Sequence, residues 1–121
     1  MSSVERSLPF YRGLLEPLGL TGRGEEIGER GETIRYLMSP DFALGLRDAH
    51  SDDAFDRYRI GVHHIAFAAT SRDVVDERYR WVVEKGGEIE SPPKEYDYLP
   101  GYYAFFFYDP DGIKLEIVHV P

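Results

Sequence analysis

The sequence predicts an α+β fold of two βαβββ modules, the first without its opening strand. Three observations carry that prediction. Gly101–Gly112 runs on into Ile113–Val118 as strand, Pro-Asp turn, strand, and seventy positions earlier Gly31–Asp41 runs on into Phe42–Leu46 in the same pattern. Upstream of each hairpin lies a helical stretch, with Phe10-Tyr11-Arg12 falling on Arg78-Tyr79-Arg80 and Gly19 on Gly87, both 68 apart. The second helix is preceded by a strong strand, Ile60–Ala69, whose counterpart in the first module would fall before Met1.

The elements follow in order. Leu8, Tyr11, Leu14, Leu15 and Leu18 recur at helical spacing behind Ser3 or Ser7 as cap, and Pro17 and Gly19 close the helix. Residues 21–31 hold four glycines among charges and read as an exposed loop without phosphate-cradle spacing. Thr33–Met38 and Phe42–Arg47 form a hairpin about Pro40-Asp41. Asp48–Arg59 is acidic and reads as a connector. Ser71 caps a helix with Val74, Val75, Tyr79, Val82 and Val83 on one face, ending at Gly86-Gly87. Ile89 opens a strand, Ser91–Pro100 reads as a loop rich in Pro and Tyr, and Tyr102–Tyr108 with Ile113–Val120 closes the chain as a hairpin. The expected organisation is a single domain over 1–121, with a first module at 1–50, a connector at 51–59 and a second module at 60–121.

Composition limits the function. The 121 residues carry a net charge of −8, from 22 acidic and 14 basic side chains, which disfavours nucleic acid as a partner. There is no cysteine, so disulfides, thiolate catalysis and zinc–thiolate sites are excluded. No apolar run approaches the ~20 residues of a membrane span, and the start lacks a signal peptide's pattern, so a cytoplasmic protein is expected.

The Asp109-Pro110-Asp111-Gly112 turn followed by Leu115-Glu116, together with His63-His64-Ile65-Ala66-Phe67, resembles the vicinal oxygen chelate superfamily. That superfamily includes glyoxalase I, extradiol dioxygenases, and fosfomycin- and bleomycin-resistance proteins. Gly61–Val120 matches throughout; the first half matches from Ser7 to Leu20 and more weakly beyond. The resemblance implies a cupped sheet around a divalent metal (Zn, Ni, Mn or Fe) that chelates two neighbouring oxygens of a small-molecule substrate. It also implies His64 and Glu116 as metal ligands, with Glu116 as the candidate catalytic carboxylate. Alternation supports the pair independently. Leu115 and Ile117 share one strand face and leave Glu116 and Lys114 on the other, while Ile65 and Phe67 leave His64, Ala66 and Ala68 opposite.

The first module departs from the pattern. Ungapped, Leu46 falls on the Glu116 position; with one gap for Gly112, Gly45 does. Neither can coordinate. Two ligands are thus recognisable where a catalytic metal usually takes three from protein. Three explanations stay open: a start that lies upstream, a substitute such as Asp48, His50 or His119, or a metal-free site that binds by shape. In the gapped register Arg47 faces the cavity, where it could clamp an anionic substrate, or it is a solvated strand end. One face of the Tyr102–Tyr108 strand lines the cup, which makes Tyr103 and Phe105 candidate substrate contacts. Tyr96 and Tyr98 sit in a loop that could close over the mouth. Two functions follow: a metalloenzyme of the glyoxalase/dioxygenase type, acting as lyase/isomerase or ring-cleaving oxygenase, or a metal-free binding protein of the bleomycin-resistance type. The missing strand leaves a sheet edge to cover, so a homodimer is expected.

Overall fold

The structure is a computed structural model that describes residues 2–121. The chain divides into two compact units, Met1–Ala54 and Phe55–Pro121.

The first unit opens with α1 (Val4–Leu15). The Ser3 hydroxyl accepts from the Arg6 N–H at 3.2 Å, which satisfies one of the first-turn donors. The helix buries Leu8, Tyr11, Leu14 and Leu15. It tightens into a 3₁₀ turn, Glu16–Leu18, as Pro17 withdraws a donor, and ends at Gly19 with φ +99°. Three antiparallel strands follow in the order β1 (Gly22–Ile27), β2 (Thr33–Ser39), β3 (Phe42–Leu46). The β2–β3 hairpin forms as expected. The expected glycine-rich loop does not: Gly22–Ile27 pairs with Thr33–Met38 over its whole length. Its glycines give room rather than freedom, since a Cβ on Gly22 would stand 3.2 Å from the Met38 Cβ. Arg23, Glu25 and Glu26 hide the strand from hydropathy and suit it to a sheet edge.

The second unit has four strands in the order β4 (Ile65–Ala68), β7 (Lys114–His119), β6 (Tyr103–Tyr108), β5 (Glu88–Glu95). The β4–β7 pair is parallel and the other two are antiparallel, so the sheet is mixed. Between β4 and β5 lies α2 (Arg72–Glu84), capped by Ser71, whose hydroxyl accepts from the Val74 N–H at 3.2 Å. Val75 and Val82 of α2 are fully buried, as are Phe105, Phe107, Leu115 and Ile117 of the sheet.

Two strand boundaries differ from expectation. Regular pairing begins only at Ile65, and residues 60–63 before it are open to solvent, Ile60 completely. And β5 continues through Pro92-Pro93 to Glu95. Proline survives there because β5 is an edge strand and its register with β6 shifts twice, between Ile89 and Ser91 and between Ser91 and Lys94.

The internal repeat is visible in the pairing. Phe106 sits opposite Glu116, and Tyr36 sits opposite Gly45, seventy and seventy-one positions earlier. Gly45 therefore holds the first unit's place for Glu116, which is the gapped register. Its missing side chain leaves room for Tyr36: a Cβ there would lie 3.0 Å from that ring. Among the described residues the first sheet has no strand corresponding to β4.

Candidate active site on the sheet face away from the helix

Lys114 and Tyr108 close the β6–β7 hairpin as a pair, so every even-numbered residue of the two strands shares a face. Odd-numbered residues meet α2. On the even face Glu116 is buried to 1% exposure, a costly place for a carboxylate unless it is bonded. Both of its oxygens are engaged. Oε1 lies 2.8 Å from His64 Nε2, and Oε2 accepts from the Tyr102 hydroxyl. Burial and then the neighbouring Glu116 carboxylate push the Tyr102 phenol well above its ordinary range, so it remains a donor.

His64 immediately precedes β4, which is parallel to β7 and places Ala66 beside Glu116. Small side chains at Ala66 and Ala68 keep that face open. His63 Nδ1 meets His64 Nδ1 at 2.7 Å. With His64 Nε2–H donating to Glu116, its Nδ1 is the acceptor and His63 the donor. Phe106 lies against the His64 ring, 5.8 Å between centroids.

These groups floor a cleft of about 520 Å³. Its walls are Ser91, Lys94, Tyr96 and Tyr98, with Glu90 and Lys114 at one end. Lys114 is not the partner of Glu116. It reaches Glu90 at 2.9 Å and lies 4.8 Å over the Phe106 ring. The Lys114 ammonium holds the Glu90 carboxyl below its ordinary range. The Glu90 carboxylate also accepts from the Tyr108 hydroxyl at 3.1 Å, which in turn accepts from Arg57 at 2.6 Å.

Of the residues singled out in the sequence, His64 and Glu116 come together. Tyr103 and Phe105 do not join them, which corrects their expected place in the cup. Both point to α2: the Tyr103 hydroxyl donates to Asp76 at 2.7 Å, and Phe105 is fully buried against Tyr79. The physical reason is strand parity, since 103 and 105 are odd. Arg47 lines a separate hollow of the first unit, with Glu32 and His50. His119 is spent on the Ala69 carbonyl at 3.0 Å, and Asp48 accepts from the Val4 N–H. Asp109 serves its turn, accepting from the Asp111 and Ile113 N–H groups. The residue that sequence reasoning missed is Tyr102. Counting outward from the tight turn pairs 106 with 116 and puts 102 on the same face, so the signal was present.

The donor set can be tested against a metal. His64 Nε2 and Glu116 Oε1 stand as close as neighbouring ligands on one ion, which bonds of ~2.1 Å place about 3 Å apart. They fit as two adjacent ligands. No group of three or more His, Cys, Asp or Glu residues able to hold an ion occurs among the described residues.

Each unit is an α/β repeat, and in the second an imidazole and a carboxylate meet on the mixed sheet. The comparisons give the family. The model of the Glyoxalase/Bleomycin resistance protein/Dioxygenase superfamily matches residues 1–117, and this chain belongs to that superfamily. It is 35% identical to the Bacillus subtilis (strain 168) protein YqjT, itself described as uncharacterized, over 98% of this chain and 91% of that one. A proposed glyoxalase from Bacillus halodurans superposes with a TM-score of 0.77 at 28% identity, covering 99% of this chain and 90% of the other. A glyoxylase/bleomycin resistance protein/dioxygenase domain from Frankia sp. EAN1pec gives 0.72 at 26%, covering 100% and 86%. Among the described residues no helix is long and apolar enough to cross a membrane.

Proposed function

We propose that this chain is a small-molecule metalloenzyme of the glyoxalase/dioxygenase type, working in the second unit's cleft. The observation that carries the reading is the meeting of the half-buried His64 Nε2 with the buried Glu116 Oε1 at 2.8 Å. His64 and Glu116 are the proposed holders of a divalent ion (Zn, Ni, Mn or Fe). Such an ion would supply Lewis acidity toward vicinal oxygens of the substrate.

The chain's own residues have distinct tasks. Tyr102 fixes Glu116 from the Oε2 side, and His63 fixes the His64 ring through Nδ1. Glu116 is also the proposed base: its Oε2, on leaving the Tyr102 hydroxyl, would take a proton from the carbon beside a substrate carbonyl. Phe106 and Tyr96 line the cleft beside that transfer. This is lyase or isomerase chemistry; the same ligand pair would also serve a ring-cleaving oxygenase. A homodimer in the cytoplasm belongs to the same proposal.

One observation favours a second reading, a metal-free binding protein of the bleomycin-resistance type. Both Glu116 oxygens already have protein donors, and the cleft is walled by aromatic rings. Elemental analysis separates the two. Purified protein should carry or take up roughly one divalent ion per chain, lost in His64→Ala and Glu116→Ala variants that keep wild-type circular dichroism. Protein that takes up no ion under any loading condition would refute the enzyme reading in favour of the binder.

A further inference from the structure

We infer that the ligand of this cleft is a flat aromatic anion, held with its negative group at Lys94 and its ring system against the tyrosines. The inference rests on the reading of the cleft as the working site and adds the class of molecule that enters it.

Charge bookkeeping inside the cleft gives the first argument. Lys114 is committed to Glu90, and Glu116 to His64 and Tyr102. Glu95, next in sequence to Lys94, is taken by Arg72 at 2.5 Å. Lys94 has no carboxylate within ion-pair range among the described residues; its ammonium lies 4.9 Å over the Tyr96 ring. Of the two lysines lining the cleft, Lys94 is the one without a carboxylate partner among the described residues, in a chain whose net charge is −8.

The rings give the second. Tyr96 and Tyr98 stack at 5.2 Å with their planes 5° apart, and Tyr102 stands edge-on to Tyr98 at 5.2 Å. Yet Tyr98 remains 63% exposed. A tyrosine held in a stack but left open presents a fixed planar surface, which suits another planar body.

The floor sets the orientation. In the ion-free cleft the buried Glu116 carboxylate repels a second anion, which leaves the ligand's charge to Lys94. A volume of about 520 Å³ suits a molecule of two or three rings.

The test is a titration of full-length protein with 1-naphthoate, the neutral 1-naphthamide and cyclohexanecarboxylate, followed by aromatic ¹H–¹³C NMR. Naphthoate should shift the Tyr96, Tyr98 and Tyr102 resonances. It should bind about threefold to fivefold tighter than the amide, the scale an exposed ion pair allows, and tighter than the non-aromatic acid by a similar factor. Lys94→Gln should erase the preference for naphthoate over the amide while leaving the amide's affinity unchanged. Equal binding of acid and amide, equal binding of the non-aromatic acid, no binding at all, or an unaltered preference in Lys94→Gln would each overturn the inference. Metal content is measured on the same samples. A protein that takes up no ion under any loading condition yet shows the naphthoate preference sinks the enzyme reading alone, and a metal-loaded protein without it sinks this inference alone.

Discussion

The side chain on which most depends is Glu116, because it is both the most buried carboxylate and the one placed for chemistry. Its two oxygens draw on different parts of the second unit, Oε1 on His64 beside β4 and Oε2 on Tyr102 at the entrance to β6. Removing either donor leaves a buried acceptor without its partner. Tyr102→Phe keeps the ring and deletes only the hydroxyl, so it should lower unfolding free energy by about 1–3 kcal/mol in urea titrations. Tyr98→Phe, made on an exposed ring, should stay within about 0.5 kcal/mol of wild type. Equal effects from the two would mean that the Tyr102 hydroxyl does not support the carboxylate. Half of this site was legible in the sequence. His64 and Glu116 follow from alternation in strands whose apolar residues declare the core face. Tyr102 did not, because six aromatics in seven positions erase the polar-apolar contrast that parity needs, and only the turn geometry restores it.

At the level of elements, β6 serves two masters. Its odd residues, Tyr103, Phe105 and Phe107, pack toward α2, and its even residues, Ala104, Phe106 and Tyr108, face the cleft side. Phe105→Ala should therefore behave as a core deletion, costing about 3–5 kcal/mol by denaturant melting. Any of that variant that remains folded should bind metal as wild type does. Loss of metal from folded Phe105→Ala would return that ring to the cleft. The same logic explains which elements could be read in advance. Both helices announced themselves by apolar spacing and serine caps, and both hairpins by their Pro-Asp turns. β1 escaped notice because an edge strand of glycines and charges makes its pairing through the backbone, which hydropathy does not record. β5 continues past Ser91, where a loop is expected, because a proline is excluded from a ladder only where its N–H is required, and an edge strand with a shifting register does not require it.

Across the whole molecule, the two units repeat each other with one asymmetry. In the second, β7 has β4 along its outer edge in parallel pairing. In the first, β3 occupies the place of β7 and has no strand along its outer edge among the described residues. An open edge of this kind is a ready template for backbone pairing, and charges that would discourage it are absent from Phe42-Ala43-Leu44-Gly45-Leu46. The proposed homodimer provides a cover, with a second copy supplying what lies along β3. Light scattering should then report about twice the 13.9 kDa chain mass at micromolar concentration. A lysine placed on that strand, Ala43→Lys, should shift the distribution toward single chains without loss of circular dichroism, since Ala43 is exposed and the charge acts only against pairing. A wild-type mass of one chain at every concentration would remove the dimer. A dimer indifferent to Ala43→Lys would place the contact elsewhere and leave the edge of β3 without an assigned partner.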